Sequence, residues 1–187
     1  MLKYIEEASK YVELTGFRNV SVKDVENFVK AAREATLQKA SIQFFDADLV
    51  ATWQHLYFAV LNAFLAFRNE RTISKTVAME VVLYASAQRQ IRKALQLIGV
   101  KSVSTNVAAV IIGANPDSIR AALSAVSKRV GAEPDETVLE LTRGKTLNIR
   151  KAFGISDDEL EVVTKKDTTQ ALIDLVIERT ALLSTQL

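Results

Sequence analysis

The sequence contains no cysteine, two prolines, six glycines and one histidine among its 187 residues. Without cysteine, the chain has no disulfide bond, no thiolate nucleophile and none of the thiolate ligands that most structural zinc sites use. The scarcity of proline and glycine argues against disorder, long linkers and repetitive all-β architectures. A chain of this length and composition favours one folded domain over two.

Long apolar runs are also missing. The longest one, residues 56–67, is interrupted by Asn62 and is shorter than the about 20 residues that a membrane-spanning helix needs. The first residues contain no apolar run of signal-peptide length. We therefore expect a cytoplasmic protein with no membrane partner.

The usual sequence signatures of enzymes are absent. There is no phosphate-binding glycine loop, no nucleophile elbow and no dinucleotide fingerprint. His55 lies beside Trp53 and Leu56 in a predicted long helix, where a structural role is typical. The acidic residues between Asp157 and Glu161 lack the glycine and the alternation of a calcium loop and favour a helix start. We expect a non-enzymatic protein with no cofactor, no metal and no small-molecule substrate.

Positive charge is clustered on an otherwise balanced chain, which has 24 basic and 22 acidic residues. No acidic residue lies between Glu80 and Asp117, and the basic residues of that window are Arg89, Arg92, Lys93 and Lys101. A second acid-free window, residues 141–156, contains Arg143, Lys145, Arg150 and Lys151. Clustered charge on a nearly neutral body predicts a local contact with a polyanion, of modest and salt-sensitive affinity.

The first of these windows contains a predicted basic helix. Its apolar residues follow the helical spacing i, i+3, i+4, i+7 and are Ile91, Ala94, Leu95 and Ile98, which predicts a buried face. The same spacing places Arg89, Arg92, Lys93 and Gln96 on the opposite face, with Ser86 positioned to cap the start. Free backbone N–H groups, the positive end of the helix dipole and guanidinium groups together suit a phosphate. On spacing alone, an ordinary solvated helix face remains the alternative.

The remaining pattern alternates strands with helices. We predict strands over residues 11–15, 41–45 and 107–112, and helices over residues 22–37, 49–67, 74–85, 115–130 and 168–184. Asp46 or Asp48 is the expected cap of the second helix, and residues 136–153 are expected to be partly helical, with Val138–Leu141 as an alternative short strand. The predicted fold class is α+β: a single domain over residues 1–187, with a small mixed β-sheet packed with about seven helices.

The last predicted helix is apolar on two sides. One stripe consists of Leu172, Val176 and Leu183, with Leu175 beside it, and the other of Ile173, Ile177 and Ala181. Such a helix is either enclosed on both sides or keeps one face for a partner. We predict that the longer, more regular first stripe faces the core and that Ile173, Ile177 and Ala181 bind a partner; the reverse assignment stays open.

Several segments carry a resemblance to a known family. They are residues 45–52, Met79-Glu80-Val81-Val82, residues 86–91, and Ala94-Leu95 followed by Ile98-Gly99-Val100. In combination they resemble the KEOPS subunit family of the PRPK-binding protein, where PRPK is the p53-related protein kinase. The resemblance is densest over residues 41–112 and continues more loosely into the last helix.

This resemblance implies a non-enzymatic subunit of the machine that forms threonylcarbamoyl-adenosine at position 37 of tRNA. Members of the family bind the kinase-like ATPase subunit, and archaeal members hold the single-stranded 3′ CCA end of tRNA. Archaeal members commonly have glycine at the position of Ala87, whereas residues 88–91 agree with the archaeal pattern. We therefore expect an archaeal, tRNA-recruiting member.

The resemblance and the basic helix together define a candidate tRNA-binding site. Its residues are Ser86, Ala87, Gln88, Arg89, Gln90, Arg92, Lys93 and Lys101. Two other functions stay open at this point. The two predicted helices around a tight break imitate a DNA-binding helix-turn-helix motif, and a structural adaptor without nucleic-acid binding would need neither contact. Binding to duplex or to single-stranded nucleic acid separates these possibilities.

Overall fold

The computed structural model describes residues 1–36, 39–163 and 167–186. The described strands are β1 (Leu2–Ile5), β2 (Lys10–Phe17), β3 (Ala40–Asp46) and β4 (Val107–Gly113). The described α-helices are α1 (Val25–Ala35), α2 (Trp53–Arg68), α3 (Val77–Ser86), α4 (Ile91–Ile98), α5 (Pro116–Val130), α6 (Arg143–Phe153), α7 (Asp157–Val163) and α8 (Thr168–Leu182). The predicted α+β class is confirmed.

The chain divides into two compact units. The first comprises Met1–Ala47 and Gly99–Leu139, and therefore contains the whole sheet with α1 and α5. The second comprises Asp48–Ile98 and Glu140–Leu187 and contains the other helices. A single domain over residues 1–187 stays a prediction.

The sheet of the first unit has the strand order β1-β2-β4-β3, and each neighbouring pair is antiparallel. The expected mixed sheet is therefore wrong in the described residues, because strand direction is set by the chain connections and leaves no trace in the apolar pattern. Strand β1 escaped prediction because only Ile5 of its four residues is buried, so it carries almost no hydrophobic signal. Strand β4 is buried along its whole length, as its continuous apolar run predicts.

Helices α1 and α5 pack on this sheet and on each other. Helix α5 begins as predicted, because the Asn115 side chain accepts a hydrogen bond from the Ser118 N–H at 2.8 Å in a capping box. Helix α1 begins three residues later than predicted, after Asp24, whose carboxylate accepts the Asn27 N–H at 3.0 Å. The predicted last residue of this helix, Leu37, lies outside the described residues.

The alternative strand over residues 138–141 is wrong. Glu136–Leu139 forms a 3-10 turn that packs on β2, and α6 follows it. The turn approaches β2 at Gly16, where a Cβ atom would lie 2.6 Å from the Cβ of Val138. Only glycine fits this position without displacing the turn.

Helix α2 organises the second unit by packing against α3 and α8. Leu56, Val60 and Phe64 are buried on it, as the predicted apolar face requires. The helix begins four residues later than expected, after Thr52, because Ala47–Leu49 forms a separate 3-10 turn. Neither of the two predicted aspartate caps is therefore its cap.

His55 is a fully buried residue of this helix. Its Nε2–H donates to the Ala85 carbonyl at 2.7 Å, and its Nδ1 accepts the Ala51 N–H at 3.3 Å. Burial lowers the pKa of His55 to about 4, against the opposing effect of the hydrogen bond to Ala85. The ring is therefore neutral near pH 7; its Nε2 holds α2 to the end of α3, and its Nδ1 holds the residue that precedes the cap of α2. This geometry agrees with the structural role predicted for the only histidine.

Candidate functional site

The predicted break before the basic helix is formed by the end of α3. Ala87 adopts the left-handed conformation, with φ 51° and ψ 35°. Its N–H donates to the Tyr84 carbonyl at 3.0 Å, and the Gln88 N–H donates to the Leu83 carbonyl at 3.1 Å. This pair of bonds is the Schellman arrangement that ends many helices, and its left-handed position favours glycine. The glycine that the resemblance implies at this position in archaeal members would therefore have a physical explanation here.

Replacing Ala87 with glycine should stabilise the protein by about 0.5 to 1 kcal/mol, since glycine relieves the left-handed strain but loses more chain entropy on folding. Thermal unfolding followed by circular dichroism measures this change. Ala85→Gly is the matched control, because Ala85 is buried inside α3 and glycine there should destabilise. A lower melting temperature for Ala87→Gly would contradict the explanation.

Ser86 does not cap the basic helix. It is the last residue of α3, it is buried, and its hydroxyl donates to the Leu83 carbonyl at 3.0 Å. The predicted cap is wrong because the helical pattern of the sequence runs continuously across the break, whereas α3 ends at the left-handed residue Ala87 and α4 begins at Ile91. The Ser86 side chain consequently supports the turn and does not face solvent.

Helix α4 begins at Ile91 and buries Ala94 and Ile98. Ile91 and Leu95 are 41% and 38% exposed, so the prediction that both lie in the core is wrong. The helix has only eight residues, and Ile91 and Leu95 lie along the flank of the buried strip. Two apolar side chains are thereby left accessible beside the basic residues.

The polar residues of this segment surround the start of α4. Gln88 is half-buried, whereas Arg89, Gln90, Arg92 and Lys93 are exposed. A cavity of about 280 Å³ is lined by Gln88, Lys93, Gln96 and Leu97. The first backbone N–H groups of a helix have no partner within that helix and favour negative charge. The residues predicted to form an anion site thus lie in the connection and the first turn of α4, and not on one continuous helix face.

The other basic residues that the sequence analysis named are placed differently from what we expected. Lys101 is half-buried and belongs to the first unit, whereas the rest of the candidate tRNA-binding residues belong to the second. In the second acid-free window, Lys145 is buried and Arg150 pairs with Asp157 at 2.5 Å. That window therefore presents fewer free cations than its composition indicates.

The two stripes of α8 have different surroundings. The first stripe is buried as predicted: Leu172, Leu175, Val176 and Leu183. In the second stripe, Ile173 is only 8% exposed, Ile177 is half-buried and Ala181 is exposed. The expectation of an open stripe is therefore wrong at Ile173, and the accessible part consists of Ile177 and Ala181. The periodicity gave no indication of Leu182, which is 41% exposed at the end of the helix.

No described helix is long and apolar enough to cross a membrane. Within residues 1–36, 39–163 and 167–186, no group of three or more histidine or carboxylate side chains could hold a metal ion.

Comparison with known proteins identifies the family to which the chain belongs. The model of the family described as kinase binding protein CGI-121 matches residues 17–184. The chain therefore belongs to the CGI-121 family, which confirms the resemblance found in the sequence. It is 34% identical over 113 residues to regulatory protein Cgi121 of Methanocaldococcus jannaschii, a match that covers 60% of this chain and 70% of that protein.

Proposed function

We propose that this chain is a non-catalytic KEOPS subunit that binds the kinase-like ATPase subunit and recruits tRNA through its 3′ CCA end for threonylcarbamoyl-adenosine formation at position 37. Membership of the CGI-121 family supports the kinase-binding part. The exposed start of α4 supports the tRNA part. The two parts are proposed for different residues, so each can be tested separately.

The observation that carries the tRNA proposal is the juxtaposition of cations with exposed apolar side chains around residues 88–95. Arg89 and Arg92 supply positive charge for phosphates, and Ile91 and Leu95 offer apolar surface to bases. Unpaired bases can pack against such apolar surface, whereas the bases of a duplex are already stacked on one another. The small cavity beside Lys93 also suits an end of a strand better than a continuous helix.

Replacing Arg89 with glutamate should weaken tRNA binding about tenfold at moderate salt, because the change removes an attraction and adds a repulsion. The loss should exceed that of Arg89→Ala. Gel shifts over a series of salt concentrations measure the effect, with thermal melting run in parallel. Arg129→Glu, an exposed position on α5 in the first unit, is the matched control. A variant that is folded and binds tRNA as well as the parent would remove Arg89 from the site.

The helix-turn-helix alternative rests on α3, the break at Ala87 and the short basic α4. A recognition helix reads duplex DNA with its first turns in the major groove. Competition between a tRNA and a duplex of equal length decides between the two functions. Tighter binding to the duplex would favour the alternative, and binding to neither would leave a structural adaptor.

The kinase-binding part is supported by the accessible end of α8, where Ile177, Ala181 and Leu182 expose apolar surface. Co-purification with the kinase-like subunit from the same genome, followed by isothermal titration calorimetry, tests this part. We expect a stoichiometric complex. Failure of the purified proteins to associate would contradict it.

A further inference from the structure

A second cavity lies at the carboxyl end of α2 and has a volume of about 230 Å³. Its lining comes from α2 and the turn after it, from α3 and from the segment after α8. The principal lining residues are Asn62, Leu65, Asn69, Arg71, Tyr84 and Ser184. We call it the Arg71 pocket. All of these residues belong to the second unit. The sequence pattern predicted no binding role for any of them.

Two hydrogen-bond donors of the pocket have no acceptor within the part of the chain that the structure describes. The Arg71 guanidinium is exposed and has no carboxylate partner there. Tyr84 is only 1% exposed, yet its hydroxyl has no described hydrogen bond. Since Tyr84 lines the pocket, a bound group can accept a hydrogen bond from this hydroxyl.

The described polar groups of the pocket include donors that suit a negatively charged acceptor. Burial, and secondarily the negative charge of Glu80, raises the pKa of Tyr84, so its hydroxyl keeps its proton at neutral pH and can donate. Among the described residues of the lining there are one guanidinium, carboxamides and hydroxyls, and no carboxylate. A planar carboxylate can accept two parallel hydrogen bonds from a guanidinium. Each of its oxygens has a further lone pair, so it can also accept a hydrogen bond from a third donor.

The pocket is continuous with the accessible face of α8. The Ser184 hydroxyl lines the pocket and donates to the Ala181 carbonyl at 2.8 Å. Ala181 is in turn one helical turn beyond Ile177. The partly exposed end of α8 therefore lies next to a pocket whose described lining contains one cation, which is the arrangement of a protein interface with a charged anchor at one end.

We propose that the Arg71 pocket binds an aspartate or glutamate side chain of the kinase-like partner, with the carboxylate held by Arg71 and Tyr84. The inference rests on the proposed kinase binding. An RNA phosphate is the less favoured occupant, because backbone recognition of RNA uses several cations, whereas Arg71 is the only basic residue among the described residues of the lining.

The test measures the affinity of the full chain for the purified kinase-like subunit by isothermal titration calorimetry. Arg71→Ala should weaken binding about 30-fold, since it leaves the partner's carboxylate buried without its cation. Tyr84→Phe removes only the hydroxyl and should weaken binding about tenfold. Arg68→Ala is the matched control: this arginine lies in the last turn of α2 and outside the pocket, and its loss should leave affinity unchanged. None of the three changes should lower the melting temperature by more than a few degrees.

Two outcomes would overturn this inference alone. In the first, the parent binds the kinase-like subunit and Ile177→Glu does not, while Arg71→Ala and Tyr84→Phe bind like the parent. In the second, Arg71→Ala weakens tRNA binding in gel shifts and leaves kinase binding intact, which would assign the pocket to a phosphate. If the parent itself does not associate with the kinase-like subunit, the proposed function fails first and the inference fails with it.

Discussion

Replacing Glu80 with alanine is expected to cost about 4 kcal/mol of the free energy of unfolding, which corresponds to a fall of about 10 °C in melting temperature. The Glu80 carboxylate is fully buried and accepts three hydrogen bonds. They come from the Ile73 N–H at 3.1 Å, the Ser74 N–H at 2.7 Å and the Ser74 hydroxyl at 2.6 Å. Alanine would leave all three donors without their acceptor and release the segment that precedes α3.

Glu80→Gln keeps one acceptor oxygen but turns an amide N–H₂ group toward a donor, so it should cost about half as much. Glu178 is exposed on α8, and Glu178→Ala should change stability by less than about 0.5 kcal/mol. Thermal unfolding by circular dichroism compares the three variants with the parent. Equal melting temperatures for Glu80→Ala and Glu178→Ala would show that the buried carboxylate does not hold this segment.

The second large effect is expected at the partner face of α8. A glutamate in place of the half-buried Ile177 should weaken association with the kinase-like subunit by about 2 kcal/mol, or roughly 30-fold, because a charge replaces an apolar anchor of the interface. Its cost to the isolated chain should be small, since part of the side chain is already in contact with water. Calorimetric titration against the kinase-like subunit measures the loss.

Thr169→Glu introduces the same charge at an exposed position in the first turn of α8 and should leave association unchanged. Melting temperatures of both variants accompany the binding data. A large fall in melting temperature for Ile177→Glu, with no specific effect on association, would show that both stripes of α8 belong to the core and that the interface lies elsewhere.

The sequence predicts best where one strong local signal decides the structure. Strand β4 is continuously apolar, and the helix after it starts with an asparagine cap followed by proline; both were predicted close to their observed bounds. Glu80 is also marked by a local sequence signal, whose physical reason the structure supplies. It belongs to the Met-Glu pair that carries the family resemblance, and its three hydrogen bonds explain why a carboxylate suits that position.

Prediction fails where the backbone departs from the apolar pattern. The helical spacing continues from Ser86 to Ile98, so it shows neither that Ser86 stays inside α3 nor that α4 begins only at Ile91, although a break before the basic helix was expected. Ile91 and Leu95 were consequently predicted to be buried, whereas both are accessible. The same limit applies to Ile173, because periodicity places residues on a face and only the neighbouring helices determine which part of that face is covered.

The Arg71 pocket lay beyond prediction for a different reason. Its residues come from three separate segments, and each of them is unremarkable by itself. A single arginine after a helix is common at protein surfaces and does not indicate a site. In the sequence pattern, Tyr84 is one of several apolar residues of α3. Only the fold of the second unit brings the guanidinium and the buried hydroxyl to one cavity.

The most direct test of the proposed function compares tRNA with and without its 3′ CCA end in gel shifts against the purified chain. The exposed cations and apolar side chains around Ala87 suit unpaired nucleotides, so removal of the CCA end should weaken binding at least about tenfold. The affinity for intact tRNA should also fall steeply with salt. Equal binding of intact and trimmed tRNA would contradict recruitment through the 3′ end.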